Sequence, residues 1–194
     1  MSAPDSPSPE TTPAPLSSQP PARDWLSRFA AYRLLWILAL TTLVFDQVSK
    51  FWIVQHLPLG TYHLQQGAIP VIEGFFHLVH VGNTGAAWSL FTGKSTLLAL
   101  LAAFTLGAIY WWRHELGLRD RMVQWAFGLL CGGIVGNLID RIAYKHVVDF
   151  LDFHFGSYTY PTFNIADSGI CIGVGLYLIH SLRQPPEGEN PKSQ

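Results

Sequence analysis

Two aspartates in the stretch VVDFLDFHFGSYTYPTFNIADS, residues 147–168, have the surroundings to do acid–base chemistry. Asp149 closes the apolar run HVVD, Asp167 lies in NIADS, and a third acid, Asp152, stands between them. Only 13% of the residues are charged, so carboxylates among Val, Phe and Ile need a reason. Two carboxylates brought together in a partly dry site cannot both ionise cheaply, and one keeps a proton. That asymmetric pair suits amide hydrolysis. The ionised member takes a proton from water, and the protonated member donates to the carbonyl and then to the leaving amine. No nucleophilic Ser or Cys is required, and neither Ser89 nor Ser168 has a His at an evident spacing.

Other polar residues have structural readings to set beside the chemical ones. In CGGIVGNLIDRI, Asn137, Asp140 and Arg141 are spaced i, i+3, i+4 and so share one helix face. A charged pair at membrane depth is costly unless the charges meet or line a wet cavity, and the simplest arrangement is an Asp140–Arg141 network. Asn164 can cap a helix whose first turn holds Asp167, where the helix dipole favours an anion. Read alone, Asp167 is a helix-start residue; beside Asp149, across one outward loop, it becomes half of a pair. His77 and His80 suggest a metal, but residues three apart on a strand point to opposite faces and do not converge on one ion. A zinc site built from Asp149, Asp152 and His154 would be the competing use of the acids. Cys131 and Cys171 fall inside apolar spans as small packing residues, with no disulfide framework.

The elements that must position these groups belong to a membrane. The chain is 49% hydrophobic and 13% aromatic with a net charge of -1, which gives no ground for a nucleic-acid binder. Four apolar stretches, 34–54, 95–112, 123–142 and 165–182, approach the roughly 20 residues needed to cross a hydrocarbon core. The second and fourth are slightly short, so their flanks are expected to snorkel or stay wet. Gly132, Gly133 and Gly136 let the third helix approach its neighbours closely. The segment 68–91, rich in Val, Phe and His and bounded by Pro70, Gly74 and GNTG, reads as two or more short strands.

Eight of the twelve Lys and Arg residues precede the first span, join the second to the third, or follow the fourth. The positive-inside rule puts those segments and both termini in the cytoplasm. The segment 55–93 has no Lys or Arg, and 144–164 has only Lys145, so both face outward. The first span is a retained anchor rather than a cleaved leader, since DQVSKFWIV continues it without an A-x-A-like site. Residues 1–24 and 184–194, rich in Pro and polar residues, are expected to be disordered tails around one membrane domain over 25–183.

Five blocks then stand in order: DQVSK at 46–50, NTGAAWS at 83–89, GGIVGNLIDR at 132–141, VVDF at 147–150 and FNIADS at 163–168. In these the sequence resembles lipoprotein signal peptidase, or signal peptidase II, a bacterial inner-membrane aspartyl peptidase. The resemblance covers residues 33–183. It implies a four-helix membrane fold with a small outward β-rich segment between helices one and two, and Asp149 and Asp167 as the catalytic dyad at the periplasmic face. Asn83, Asn137, Arg141 and Asn164 match positions around that dyad, Asp46 and Lys50 match a polar pair at the outer end of helix one, and Asp140 matches a structural acid beside Arg141. The implied substrate is a prolipoprotein cut just before its diacylglyceryl-modified cysteine, in contact with membrane lipid and without cofactor or metal. Asp152 has no counterpart in the blocks. The competing classes are a small ion transporter using Asp46, Asp140 and Asp167, which the lack of an inverted repeat disfavours, and a structural membrane subunit, which leaves NLIDR and NIADS unexplained.

Overall fold

The computed structural model describes residues 30–86 and 90–183. The two expected tails lie outside the described residues, as do Ser89 and the end of the NTGAAWS block. Four helices form: α1 (Arg33–His56), α2 (Ser95–Trp111), α3 (Arg121–Ala143) and α4 (Ile165–Arg183). Their bounds fall within two residues of the four apolar stretches, because long unbroken apolar runs leave the backbone only its own hydrogen bonds to satisfy it. Three of them, α1, α3 and α4, are long and apolar enough to cross a membrane; α2 is shorter, at 17 residues. Large apolar side chains such as Trp36, Leu40, Phe45, Leu100, Phe104 and Leu182 point outward, as expected of helices with lipid for solvent.

Helix α3 is the hub, packing on α4 and α1. Its glycines permit this. A Cβ at Gly132 would strike the carbonyl oxygen of Ala39 on α1, and one at Gly136 would strike the Asp46 carboxylate. At its start Asp120 caps the helix, accepting from the amides of Met122 and Val123 at 2.7 and 3.2 Å. Helix α2 touches mainly α3, and between α1 and α2 lies an apolar cavity of about 620 Å³ lined by Leu35, Ala39, Leu106, Ile109, Cys131 and others. Cys131 and Cys171 are free thiols, Cys131 partly buried and Cys171 exposed rather than packed inside as expected.

The sheet corrects one expectation. Strands β1 (Ile69–Ile72) and β2 (Phe76–Asn83) form where the sequence suggested them, between α1 and α2. The sheet does not end there. The segment between α3 and α4, expected as a loop, contributes β3 (Val147–Phe155) and β4 (Tyr158–Thr159), giving the antiparallel order β1-β2-β3-β4. Thus the β-rich layer draws on both outward segments. Val81 pairs with Asp149 and His77 with Asp152, with one extra residue on β2 between these pairs. Val148 and Phe150 pack with Ile53 of α1 and Leu57 just after it in a buried cluster, which seats β3 on the helix end.

Candidate active site

The last residues before α4 return to β3. Phe163 exchanges backbone hydrogen bonds with Leu151, its amide donating at 3.2 Å and its carbonyl accepting at 2.9 Å. This docks Asn164 against Asp149 at the start of α4. Asn164 is fully buried, and its side chain works in two directions. Its Oδ1 accepts from the Asp167 amide at 2.9 Å, the expected cap, while its Nδ2 donates to Asp149 Oδ1 at 2.6 Å. The Asp167 carboxylate answers the cap from the other side, accepting from the Asn164 amide at 3.4 Å.

Two further amides complete the cradle. Asn83, the last residue of β2, donates from Nδ2 to Asp149 Oδ2 at 2.9 Å and accepts from the Gly85 amide at 2.9 Å. Asn137 on α3 donates from Nδ2 to Asp167 Oδ1 at 2.7 Å, and its Oδ1 accepts from Asn164 Nδ2 at 3.3 Å. Asp149 and Asp167 are therefore joined through a chain of two amide side chains. Each carboxylate keeps uncharged hydrogen-bond partners and touches no cation among the described residues. Burial pushes the Asp149 carboxyl up to about 7, the neighbouring Asp167 charge adds to the rise, and the amides of Asn83 and Asn164 oppose it.

Asp46, Lys50 and Asp140 form a second cluster, joined to the first through Asn137. The Lys50 ammonium stands 2.8 Å from Asp46 Oδ2, 2.8 Å from Asp140 Oδ2 and 2.8 Å from Asn137 Oδ1, so its three protons are all placed. Asp46 Oδ1 accepts from the Ala166 amide of α4 at 2.8 Å, and Asp140 Oδ2 accepts from the Val148 amide of β3 at 3.1 Å. Because Lys50 occupies the oxygen of Asn137, the amide must turn its nitrogen to Asp167. The polar pair expected on α1 is present, but the Asp140–Arg141 network is not. Asp140 is bound to Lys50, whereas Arg141 donates to the carbonyls of Asn137 at 3.2 Å and Gly85 at 3.1 Å. On a helix, residues i and i+1 do not face each other; α1 supplied the nearer cation. Arg141 Nε is buried without a partner among the described residues.

Sequence reasoning missed Gln47, whose Nε2 reaches Asp46 Oδ2 at 3.1 Å, the Gly136 carbonyl at 3.2 Å and Asp140 Oδ1 at 3.1 Å. Its place inside DQVSK was the available signal. His77 and His80 do diverge: His80 Nδ1 is 2.7 Å from the Leu57 carbonyl, while His77 lies with Asp152 and His154. The competing zinc set of Asp149, Asp152 and His154 is not assembled, since Asp149 faces the amide cradle and Asp152 the histidines.

Residues 38–183 match the family described as Signal peptidase (SPase) II. The chain is 37% identical over 147 residues to a lipoprotein signal peptidase of Bacillus pumilus (strain SAFR-032), covering 76% of this chain and 91% of that one. It is 41% identical over 157 residues to the lipoprotein signal peptidase of Nostoc punctiforme (strain ATCC 29133 / PCC 73102), covering 79% and 92%. A solved structure described as a bacterial membrane enzyme studied by the in meso method superposes with a TM-score of 0.68 at 34% identity, over 76% of this chain and 86% of the other. The transporter reading draws no support from these relatives.

Proposed function

The chain belongs to the signal peptidase II family, a bacterial membrane peptidase that removes signal peptides from prolipoproteins, and from that premise we propose that it is an aspartyl enzyme with Asp149 and Asp167 as its dyad. One observation carries this reading: two carboxylates, Asp149 buried and Asp167 partly buried, linked through Asn164 and Asn137 and held by amides instead of a cation. With Asp149 pushed to about 7, the pair holds one proton near neutral pH. The ionised carboxylate removes a proton from water as the water attacks the scissile carbonyl. The protonated one stabilises the developing oxyanion and then protonates the leaving amine. After one turnover the pair still holds one proton, now on the carboxylate that acted as base, and its passage back to the other member restores the starting state.

The amides give this chemistry its geometry. Asn83 and Asn164 fix both oxygens of Asp149, and Asn137, aimed by Lys50, fixes Asp167. Arg141 ties the outer end of α3 to Gly85, beside β2. In this reading all four helices, within one domain over 25–183, cross the membrane, with both termini cytoplasmic and the sheet on the outer side covering the dyad. The signal helix lies along the apolar surface of α1 and α2, and the bond before the lipid-modified cysteine reaches the dyad at the interface.

The test is conversion of a lipidated precursor by the purified protein, run beside an unlipidated precursor. Loss of the diacylglycerol removes about 0.8 kcal/mol of anchoring per methylene no longer buried, and with it the positioning of the scissile bond. Only the lipidated form is expected to be cut efficiently; equal rates would sink the proposed substrate requirement.

A further inference from the structure

The β2–β3–β4 end of the sheet holds a second group of potential ligands, separate from the dyad. His77 and Asp152 are direct cross-strand partners, and His154, two residues along β3, shares Asp152's face. Their ligand atoms all lie within 4.8 Å of one another. Asp152 Oδ2 is 2.6 Å from His154 Nε2 and 4.0 Å from His77 Nδ1. Asp149, three residues back on β3, is turned to the amide cradle and takes no part.

Three features distinguish this cluster from a chance salt bridge. The outer atoms of two of the three ligands are themselves held: Thr159 Oγ1 is 3.2 Å from His154 Nδ1, and Thr162 Oγ1 donates to Asp152 Oδ1 at 3.4 Å. Metal-binding imidazoles and carboxylates are oriented through such contacts, which leave the other atom free for the ion. His77 Nε2 is buried with no hydrogen-bond partner among the described residues, an unspent polar atom in an otherwise satisfied layer. The two imidazole rings, with centroids 4.8 Å apart, are tilted by 60° and not stacked face to face.

We propose that His77, Asp152 and His154 bind one zinc-type divalent cation, which clasps β2 to β3 and leaves a coordination position for water. Two imidazoles and one carboxylate suit zinc and its neighbours, whereas magnesium and calcium require oxygen ligands. Tetrahedral zinc spaces its ligand atoms roughly 3.3 Å apart. The 2.6 Å Asp152–His154 contact opens and the wider spacings close by side-chain rotation. The ion is a structural clasp; the hydrolytic site stays metal-free.

The proposal is tested with tag-free purified protein, stripped with a chelator and then equilibrated with Zn²⁺, the bound metal being counted by mass spectrometry and titrated by calorimetry. About one zinc per chain is expected, undiminished by excess Mg²⁺ or Ca²⁺, with a higher Tm in its presence. His154→Gln, Asp152→Asn and His77→Gln should each weaken binding by about tenfold or more, while Asp149→Asn keeps it. Because His154 is the most accessible of the three, its variant should remain folded, and retained precursor cleavage reports that it has. No zinc on the wild-type chain, or undiminished zinc on the His154 and Asp152 variants, overturns the site.

Discussion

Two acidic pairs lie side by side in this protein, and their partners differ in kind. Asp46 and Asp140, 0% and 1% exposed, share the Lys50 ammonium and also accept from backbone amides of α4 and β3 and from Gln47. Asp149 is also buried and Asp167 partly so, but they receive only neutral donors. Charge neutralised by a cation is fixed, and such a cluster can join α1, α3, α4 and β3 without exchanging protons. Charge opposed only by amide dipoles is poised, because burial and mutual repulsion favour keeping a proton. The fixed cluster also aims the poised one, through Lys50, Asn137 and Asp167 in turn.

The largest expected effect separates the two pairs by activity. Asp149→Asn and Asp167→Asn should each lower precursor cleavage about 10³-fold or more while the protein stays folded and binds precursor. The double variant should be little worse, since groups acting as one unit lose their effect together. Substantial activity in either Asn variant, or zinc-reversible chelator inhibition that persists when His154 is replaced by Gln, would refute the aspartyl assignment.

Removing the cation from the fixed cluster should instead show in stability. Lys50→Met strands two buried carboxylates and should cost about 3–5 kcal/mol. Adding Asp46→Asn and Asp140→Asn to it should recover part of the loss. Detergent-solubilised unfolding would read this, and a Lys50→Met protein of wild-type stability would erase the contrast.

A smaller effect concerns pH. With Asp149 near 7 when folded and about 3.9 when unfolded, the folded chain binds the extra proton between those values. Stability from this group is therefore highest at acid pH, falls as pH rises from about 4 to about 7, and is level above. Asp149→Asn should flatten that slope by a few kcal/mol, leaving a less active protein that is more stable at pH 8. Unfolding midpoints measured across this window test it.

The smallest effect sharpens the role of the amides. Asn83 favours the ionised form of Asp149, so Asn83→Ala should move the alkaline limb of the pH–rate profile upward by up to about one unit, with a modest loss of rate. A limb that stays put would reduce Asn83 to packing.

The sequence by itself determined the helices and the chemical inventory. Apolar runs of 17 to 24 residues have little choice of structure at membrane depth, and acids within them are too costly to be incidental. It also placed the glycines that let α1 and α4 close on α3. It did not show that HVVDFLDFHF is a strand, because that segment's partner is β2, more than sixty residues earlier, and pairing across that distance leaves no periodic mark beyond short alternation. Partner choice was likewise tertiary. Asp140 stands next to Arg141 in the chain yet binds Lys50, since adjacent helix residues diverge and α1 crosses where the carboxylate points. His77 meets Asp152 and His154 for the same reason: the register of two strands decided it, and only the folded sheet contains that register.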